Sequence, residues 1–354
     1  MKKQILSKPG RRILIFAVSA AMIFTFAAVP TTAAYSPASL VPVGRTVGIK
    51  LYADGVIVLG LSPFDTPMGA VCPAKDAGIC VGDVILSVED TKVTTTDGLQ
   101  SALSGRAEKE TVLEILRGDG EISVTVLPEA DSGGTVRIGA SVRDSMAGIG
   151  TLTYYDPGTQ TFGALGHGIC DGNTGMLVHL GSGCLVPSSV IGVQKGISGE
   201  PGELLGVFDS ENDCGRLVGN TDCGLFGTLD SSELYPELLC GNALPVRNSA
   251  EKGKAHILSN ISGGEVRQYE IEIVKTVNFE RSTKNFFIRV IDPVLLEATG
   301  GIVQGMSGSP IIQNGCIVGA VTHVLVNDPT CGYGILIGNM LNASTGVSAA
   351  FAAA

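Results

Sequence analysis

Two short stretches, Gly305-Met306-Ser307-Gly308-Ser309-Pro310 and, far upstream, Gly163-Ala164-Leu165-Gly166-His167-Gly168, decide how this chain is to be read. The first frames a serine with glycines. The second places a histidine between glycines at the end of a strand-like run. A serine hydroxyl is a weak nucleophile until a neighbouring base takes its proton, and histidine is the usual base near neutral pH. Glycines around Ser307 let the backbone turn sharply, so that amide N–H groups can face a developing oxyanion. Acyl transfer at a serine is the chemistry this pairing implies.

Composition sets the frame. The 354 residues are 44% hydrophobic, with 48 glycines and no tryptophan, which fits short strands joined by tight turns and more than one core. The net charge of −10 argues against nucleic acid, whose phosphates need clustered Lys and Arg. The one basic cluster, Lys2, Lys3, Lys8, Arg11 and Arg12, precedes an apolar run over 13–29. That is the pattern of an export signal, cleavable near Thr32-Ala33-Ala34 or kept as a membrane anchor, so residues 1–34 are set apart and the bulk of the chain is expected across a membrane.

Nine cysteines at irregular spacing contain no Cys-x-x-Cys, and the four histidines show no ligand spacing, so neither a metal nor an organic cofactor is expected. Most read as core filler. Cys214–Cys223 is the one disulfide the spacing suggests. Cys170, three positions after His167, lacks the glycine-framed turn that a nucleophile needs.

From Val47 to Leu59 the pattern reads strand, Asp54-Gly55 turn, strand. After Ala77-Gly78-Ile79-Cys80-Val81-Gly82-Asp83-Val84-Ile85 come a helix begun by Thr96 or Asp97 and two strands, Thr111–Leu116 and Ile122–Leu127. This order over residues 40–128 resembles a PDZ domain. The resemblance implies binding of peptide C-termini, with Gly44-Arg45-Thr46-Val47-Gly48-Ile49 as the carboxylate loop. Glu129–Thr135 reads as a linker. Beyond it, over 136–346, strands with tight turns predict a double β-barrel. Hairpins are expected at Thr151–Leu165 and at Pro310–Leu325 around Asn314-Gly315, with strands over Val266–Val274 and Asn285–Ile291. The fold class is mainly β: a small α+β module, then barrels.

A triad also needs an acid. Asp292, at a strand end before Pro293, and Asp171, four positions after His167, both qualify. Thr322, on the strand behind the serine, could bond the acid, and period-two alternation would then turn His323 away. With the PDZ-like module, Arg143-Asp144, Gly148-Ile149-Gly150-Thr151 and Phe162 through Ile169 followed by Gly305 through Pro310, the chain resembles the SpoIVB peptidase family.

The resemblance implies a chymotrypsin-like serine endopeptidase with His167 as base, Ser307 as nucleophile, Asp292 as acid and Thr322 as a sensitive threonine. The clan's oxyanion donors map onto the amides of Gly305 and Ser307. It further implies export across the forespore membrane into the intermembrane space. There the enzyme would cleave itself and then a membrane-bound regulator of an intramembrane protease, which leads to activation of a late mother-cell sigma factor. The competing readings are a non-catalytic exported PDZ scaffold and a general quality-control protease. The latter usually carries its PDZ domain after the protease, not before it.

Overall fold

The computed structural model describes residues 37–118, 120–209, 212–229, 241–277 and 282–353. The expected export segment and Cys240 lie outside them. Sixteen strands and three helices carry the argument. In chain order the strands are β1 (Ser39–Pro42), β2 (Thr46–Leu61), β3 (Val84–Val88), β4 (Thr111–Arg117), β5 (Gly120–Val126), β6 (Ala140–Asp156), β7 (Thr161–Ala164) and β8 (Leu180–Gln194). They continue as β9 (Gly215–Thr221), β10 (Gly224–Leu229), β11 (Gly253–Ser259), β12 (Arg267–Thr276), β13 (Phe286–Val290), β14 (Pro310–Gln313), β15 (Cys316–Leu325) and β16 (Asp328–Leu336). The helices are α1 (Thr96–Leu103), α2 (Pro293–Thr299) and α3 (Ile337–Ala353).

Two antiparallel barrels result. In the first, β2 pairs with β6, then β7, β10, β9 and β8 follow, and β8 pairs back onto β2. The second closes through β11, β12, β13, β16, β15 and β14. Closure removes sheet edges, and inward positions on alternate residues fill each interior. Leu152, Phe162, Leu185 and Leu225 fill the first barrel; Ile257, Ile271, Ile288 and Val321 fill the second. The Asn314-Gly315 hairpin forms as expected, with both residues at positive φ (51° and 72°), the geometry that favours this dipeptide.

The PDZ sheet is β2–β3–β4–β5 with α1 packed on it over a core of Val58, Ile85, Leu99, Leu113 and Ile115. Thr95, one residue earlier than expected, caps α1 by accepting from the Gly98 amide. The Gly82-Asp83 pair has a structural role: buried Asp83 accepts the Cys80 amide and both Nε and Nη2 of Arg117.

Several expectations are corrected. Asp54-Gly55 is not a hairpin turn; β2 runs straight through it. Along β6, Arg143 faces Ile57 and the next paired residue, Ser145, faces Tyr52, so the dipeptide sits in a wide bulge opposite Asp144. There β2 leaves the first barrel, where it pairs with β8 up to Ala53, and joins the PDZ sheet from Val56. Asp144 in turn accepts the Thr96 amide at the start of α1 (2.7 Å).

The stretch Gly44–Ile49 is therefore barrel, not a carboxylate loop. Thr46, Val47, Gly48 and Ile49 are buried and pair with Thr151 through Gly148. The Thr46 hydroxyl donates to Asn260, the Arg45 carbonyl accepts from Leu152, and Gly44 packs on Leu258. Glu129–Thr135 is no open linker either: Glu129–Ala130 pairs with Val136–Arg137 around a turn held by Asp131. Cys214 and Cys223 do not pair with each other, because they stand at opposite ends of the β9–β10 hairpin. Seven residues of extended strand keep them far beyond disulfide reach.

Candidate active site

Ser307 and His167 arrive from different barrels at one cleft of about 670 Å³. His167 follows β7, where Leu165 (φ 68°) and Gly166 (φ 70°) turn the chain out of the first barrel. A non-glycine residue there is uncommon and marks a locally strained corner of the kind that clusters at functional sites. Ser307 precedes β14 of the second barrel.

Thr151 ties the two loops together. Its amide donates to the Ser307 carbonyl (3.1 Å), its hydroxyl to the Gly305 carbonyl (2.7 Å), and its carbonyl accepts the Leu165 amide (3.2 Å). This fully buried threonine was visible in the sequence only as part of a Gly-x-Gly-Thr string. Nothing in the pattern announced that it spans both barrels.

At the serine, the Met306 side chain anchors the loop in the core, and the Gly308 amide donates to Val321. Gly308 has φ 99°, and a Cβ there would fall on the Thr151 carbonyl oxygen. The amides of Gly305 and Ser307 have no acceptor among the described residues, which leaves both available to an oxyanion. The Ser307 hydroxyl donates to the Thr322 carbonyl (2.8 Å). His167 Nδ1 lies 2.8 Å from the Gly168 carbonyl. A carbonyl can only accept, so Nδ1 carries the proton in the neutral ring and Nε2 keeps its lone pair. Burial holds His167 below its ordinary value of 6.5, partly offset by the Gly168 carbonyl.

Neither candidate acid meets His167. Asp292 is the N-cap of α2: Oδ1 accepts the Val294 and Leu295 amides at 3.0 Å each, and Oδ2 accepts the Glu270 amide at 3.2 Å. Asp-Pro is the expected start of a helix, with a capping side chain followed by proline at the first helical position. That local signal competes with the catalytic reading. Asp171 likewise bonds the Asn173 and Thr174 amides of its own turn, with Arg143 at 3.4 Å.

Asn caps a helix as well as Asp does. Asp292→Asn should therefore keep activity within about threefold, whereas Asp292→Ala should lower stability by about 1 kcal/mol. Titration of active serine and urea unfolding of both variants check this; a folded but inactive Asn variant would return the acid role to Asp292.

Thr322 and His323 face the opposite way from the alternating expectation. Across from β16, Val321 pairs with Gly334 and His323 with Tyr333, so Thr322 is a bulge residue. Bulges re-aim side chains next to active sites. The Thr322 hydroxyl donates to Thr283 (2.8 Å) instead of an acid, while the His323 ring stands 5.2 Å from that of His167. Cys170 lines the cleft, but burial and Asp222 push its thiol up, away from the reactive thiolate.

A second groove, about 600 Å³, runs between α1 and residues 137–142, lined by Phe64, Leu99, Leu103, Ile138 and Val142. It belongs to the PDZ module.

Residues 134–341 match the family model described as SpoIVB peptidase S55, and residues 66–117 match a PDZ domain model. No curated protein matches the chain. Among solved structures, a serine-to-alanine mutant of Rv3671c from M. tuberculosis H37Rv, in an inactive form, aligns at 14% identity and TM-score 0.33, over 57% of this chain and 82% of that one. The active form of the Rv3671c protease from M. tuberculosis aligns at 14% identity and TM-score 0.30, over 57% and 74%. Likeness of that size carries no argument about chemistry. The peptidase model, by contrast, spans more than half of the chain and both glycine-framed loops. The chain belongs to the SpoIVB peptidase S55 family and is a serine endopeptidase with a PDZ domain.

Proposed function

We propose that this sporulation serine peptidase works by acyl transfer from Ser307, with His167 as general base and the amides of Gly305 and Ser307 as the oxyanion hole. The observation that carries this reading is the meeting of a serine, a histidine whose Nε2 keeps its lone pair and two amides without an acceptor among the described residues, in one cleft between two barrels. The Ser307 hydroxyl turns from the Thr322 carbonyl toward Nε2 and gives up its proton as Oγ attacks the scissile carbonyl. The negative oxygen settles on the two amides. His167 then returns the proton to the leaving amine, and water repeats the cycle on the acyl-enzyme. One oxyanion donor is typically worth about a hundred- to a thousandfold in turnover.

The finer reading is that the enzyme is exported across the forespore membrane and held or released there through residues 13–29. It cleaves itself and then a membrane-bound regulator of an intramembrane protease, with the PDZ groove taking a peptide C-terminus. The family and the PDZ match support protein substrates; the order of domains favours a dedicated signalling protease over general quality control.

A fluorophosphonate probe tests the chemistry. The full-length chain should label once, at Ser307, and lose labelling with His167→Ala. A folded chain that does not label would leave a binding module instead. Since burial depresses His167, the base form persists as pH falls, and the acidic limb of the labelling rate should fall below pH 6.5. The same shift has a stability consequence. A buried neutral histidine favours the folded state fully above 6.5, and that contribution is lost as pH drops through 6.5 toward the lower folded value. A labelling profile with its midpoint above 6.5 would contradict the burial argument.

A further inference from the structure

We propose that one extended substrate tail lies along β6, its free carboxyl end in the PDZ groove and its scissile bond at Ser307. The enzyme would then cut about ten residues from a substrate's C-terminus. The inference deepens the peptidase reading and rests on it.

β1 and β2 occupy one edge of β6. Tyr154 shows the arrangement, for it pairs with Pro42 of β1 on one side and with Gly163 of β7 on the other. Pairing with β7 begins only at Leu152, so from Ala140 to Thr151 the second edge meets no strand among the described residues. The register on β2 is unbroken from Ser145 to Thr151. Thr151 turns its amide and carbonyl away from β2, to Ser307 and Leu165. Antiparallel alternation turns those of Ser145, Ala147 and Ile149 the same way, where an added strand would bond them. This one edge serves both hollows: residues 137–142 line the PDZ groove, and Arg143 and Ser145–Ile149 line the catalytic cleft. Asp144, between them, fastens α1 to the strand through the Thr96 amide.

The end of the groove away from the cleft suits a carboxylate. The Ile138 and Gly139 carbonyls accept from the Ala74 and Ser62 amides, whereas their own amides have no acceptor among the described residues. Gly139 has φ 80°, and successive amides around a left-handed residue form a concavity that holds anions. Arg137 stands beside them, with its Nε on Asp131. Leu99, Leu103 and Ile138 line the same groove and fit an aliphatic last side chain. This loop takes the role that the sequence assigned to Gly44–Ile49.

Direction follows from position. β6 leads from the loop toward Ser307, so a tail with its carboxyl group at Gly139 runs antiparallel to β6 and sends its upstream residues into the cleft. About ten residues, or about 33 Å of extended chain, separate Ala140 from Gly150. The register shifts near Val142 and Ser145 widen the expected fragment to about eight to twelve residues.

The test uses the full-length chain and synthetic peptides of random sequence, at least twice that length and ending in valine, as free acids and as amides. Mass spectrometry of the C-terminal fragments should show lengths clustered at about ten residues for the acids. Amides should be cut roughly tenfold to a hundredfold more slowly, the loss expected when a charged hydrogen-bond partner is removed, and without clustering. Lengthening a well-cut acid at its carboxyl end should carry the cut along by the same number of residues. Arg137→Glu, which sets a negative charge beside the loop, should narrow the acid-to-amide ratio roughly tenfold.

In a chain that labels with fluorophosphonate, any of three results overturns the proposal: fragments of unclustered length, equal cutting of acids and amides, or a cut that stays with its sequence when the tail grows. An unchanged acid-to-amide ratio in Arg137→Glu does so too. A chain that fails to label overturns the peptidase reading instead.

Discussion

Ser307→Ala is expected to lower peptide hydrolysis about a millionfold while leaving the fold intact. The size follows from what the serine does: without Oγ there is no acyl-enzyme, and only substrate positioning and the oxyanion amides remain. The fold should survive because, among the described residues, the side chain makes a single hydrogen bond, to the Thr322 carbonyl. Such a bond is worth about 0.5–1.5 kcal/mol net. Ser307 and His167 act as a unit, so adding His167→Ala to Ser307→Ala should cost little more. Single-turnover cleavage of a fluorogenic peptide and thermal unfolding of the single and double variants check both halves. Turnover within tenfold of the parent would remove Ser307 from the chemistry.

Gly308→Ala should be damaging for a different reason. A methyl group at this position meets the Thr151 carbonyl oxygen and lies 2.6 Å from the Leu165 nitrogen, both backbone atoms that cannot rotate away. The φ of 99° adds strain for any residue with a Cβ. Since Thr151 holds the serine loop and the histidine loop at once, relieving the clash displaces one from the other. A misplacement of about 1 Å can cost roughly a hundredfold, and strained backbone of this kind about 1–3 kcal/mol before the clash is counted. Gly315→Ala is the control: φ is 72°, but the added methyl meets nothing. Urea unfolding and fluorophosphonate labelling should show Gly308→Ala destabilised and slow. Gly315→Ala should lose about 1 kcal/mol with normal labelling.

Much of the fold was legible because its signals are local. Alternation gave the barrel strands, Asn314-Gly315 gave its hairpin, and the Ala-Gly-Ile-x-x-Gly-Asp string marked the PDZ module through the Asp83–Arg117 pair it encodes. The site was legible as far as two glycine-framed residues could announce it. What failed depended on distant pairing. Asp54-Gly55 carries the same local signal whether it ends a strand or bulges one, and only Asp144 across the ladder decides. Thr322 shifts the alternation by one residue, which no period-two reading detects. Asp292 illustrates a third kind of ambiguity: Asp before Pro suits a triad acid at a strand end and a helix cap equally well, until α2 is seen to occupy Oδ1 and the Glu270 amide of β12 to occupy Oδ2.

The bulge at Asp54-Gly55 has one more consequence. Because β2 and β6 each begin in one domain and end in the other, the PDZ module is not a bead on a string but a branch growing from two staves of the barrel. Cutting out residues 40–128 would pull a stave from the cask and spill the catalytic half with it. A graft made at the rim, between Ser62 and Gly139, whose backbones already touch, would leave the vessel whole.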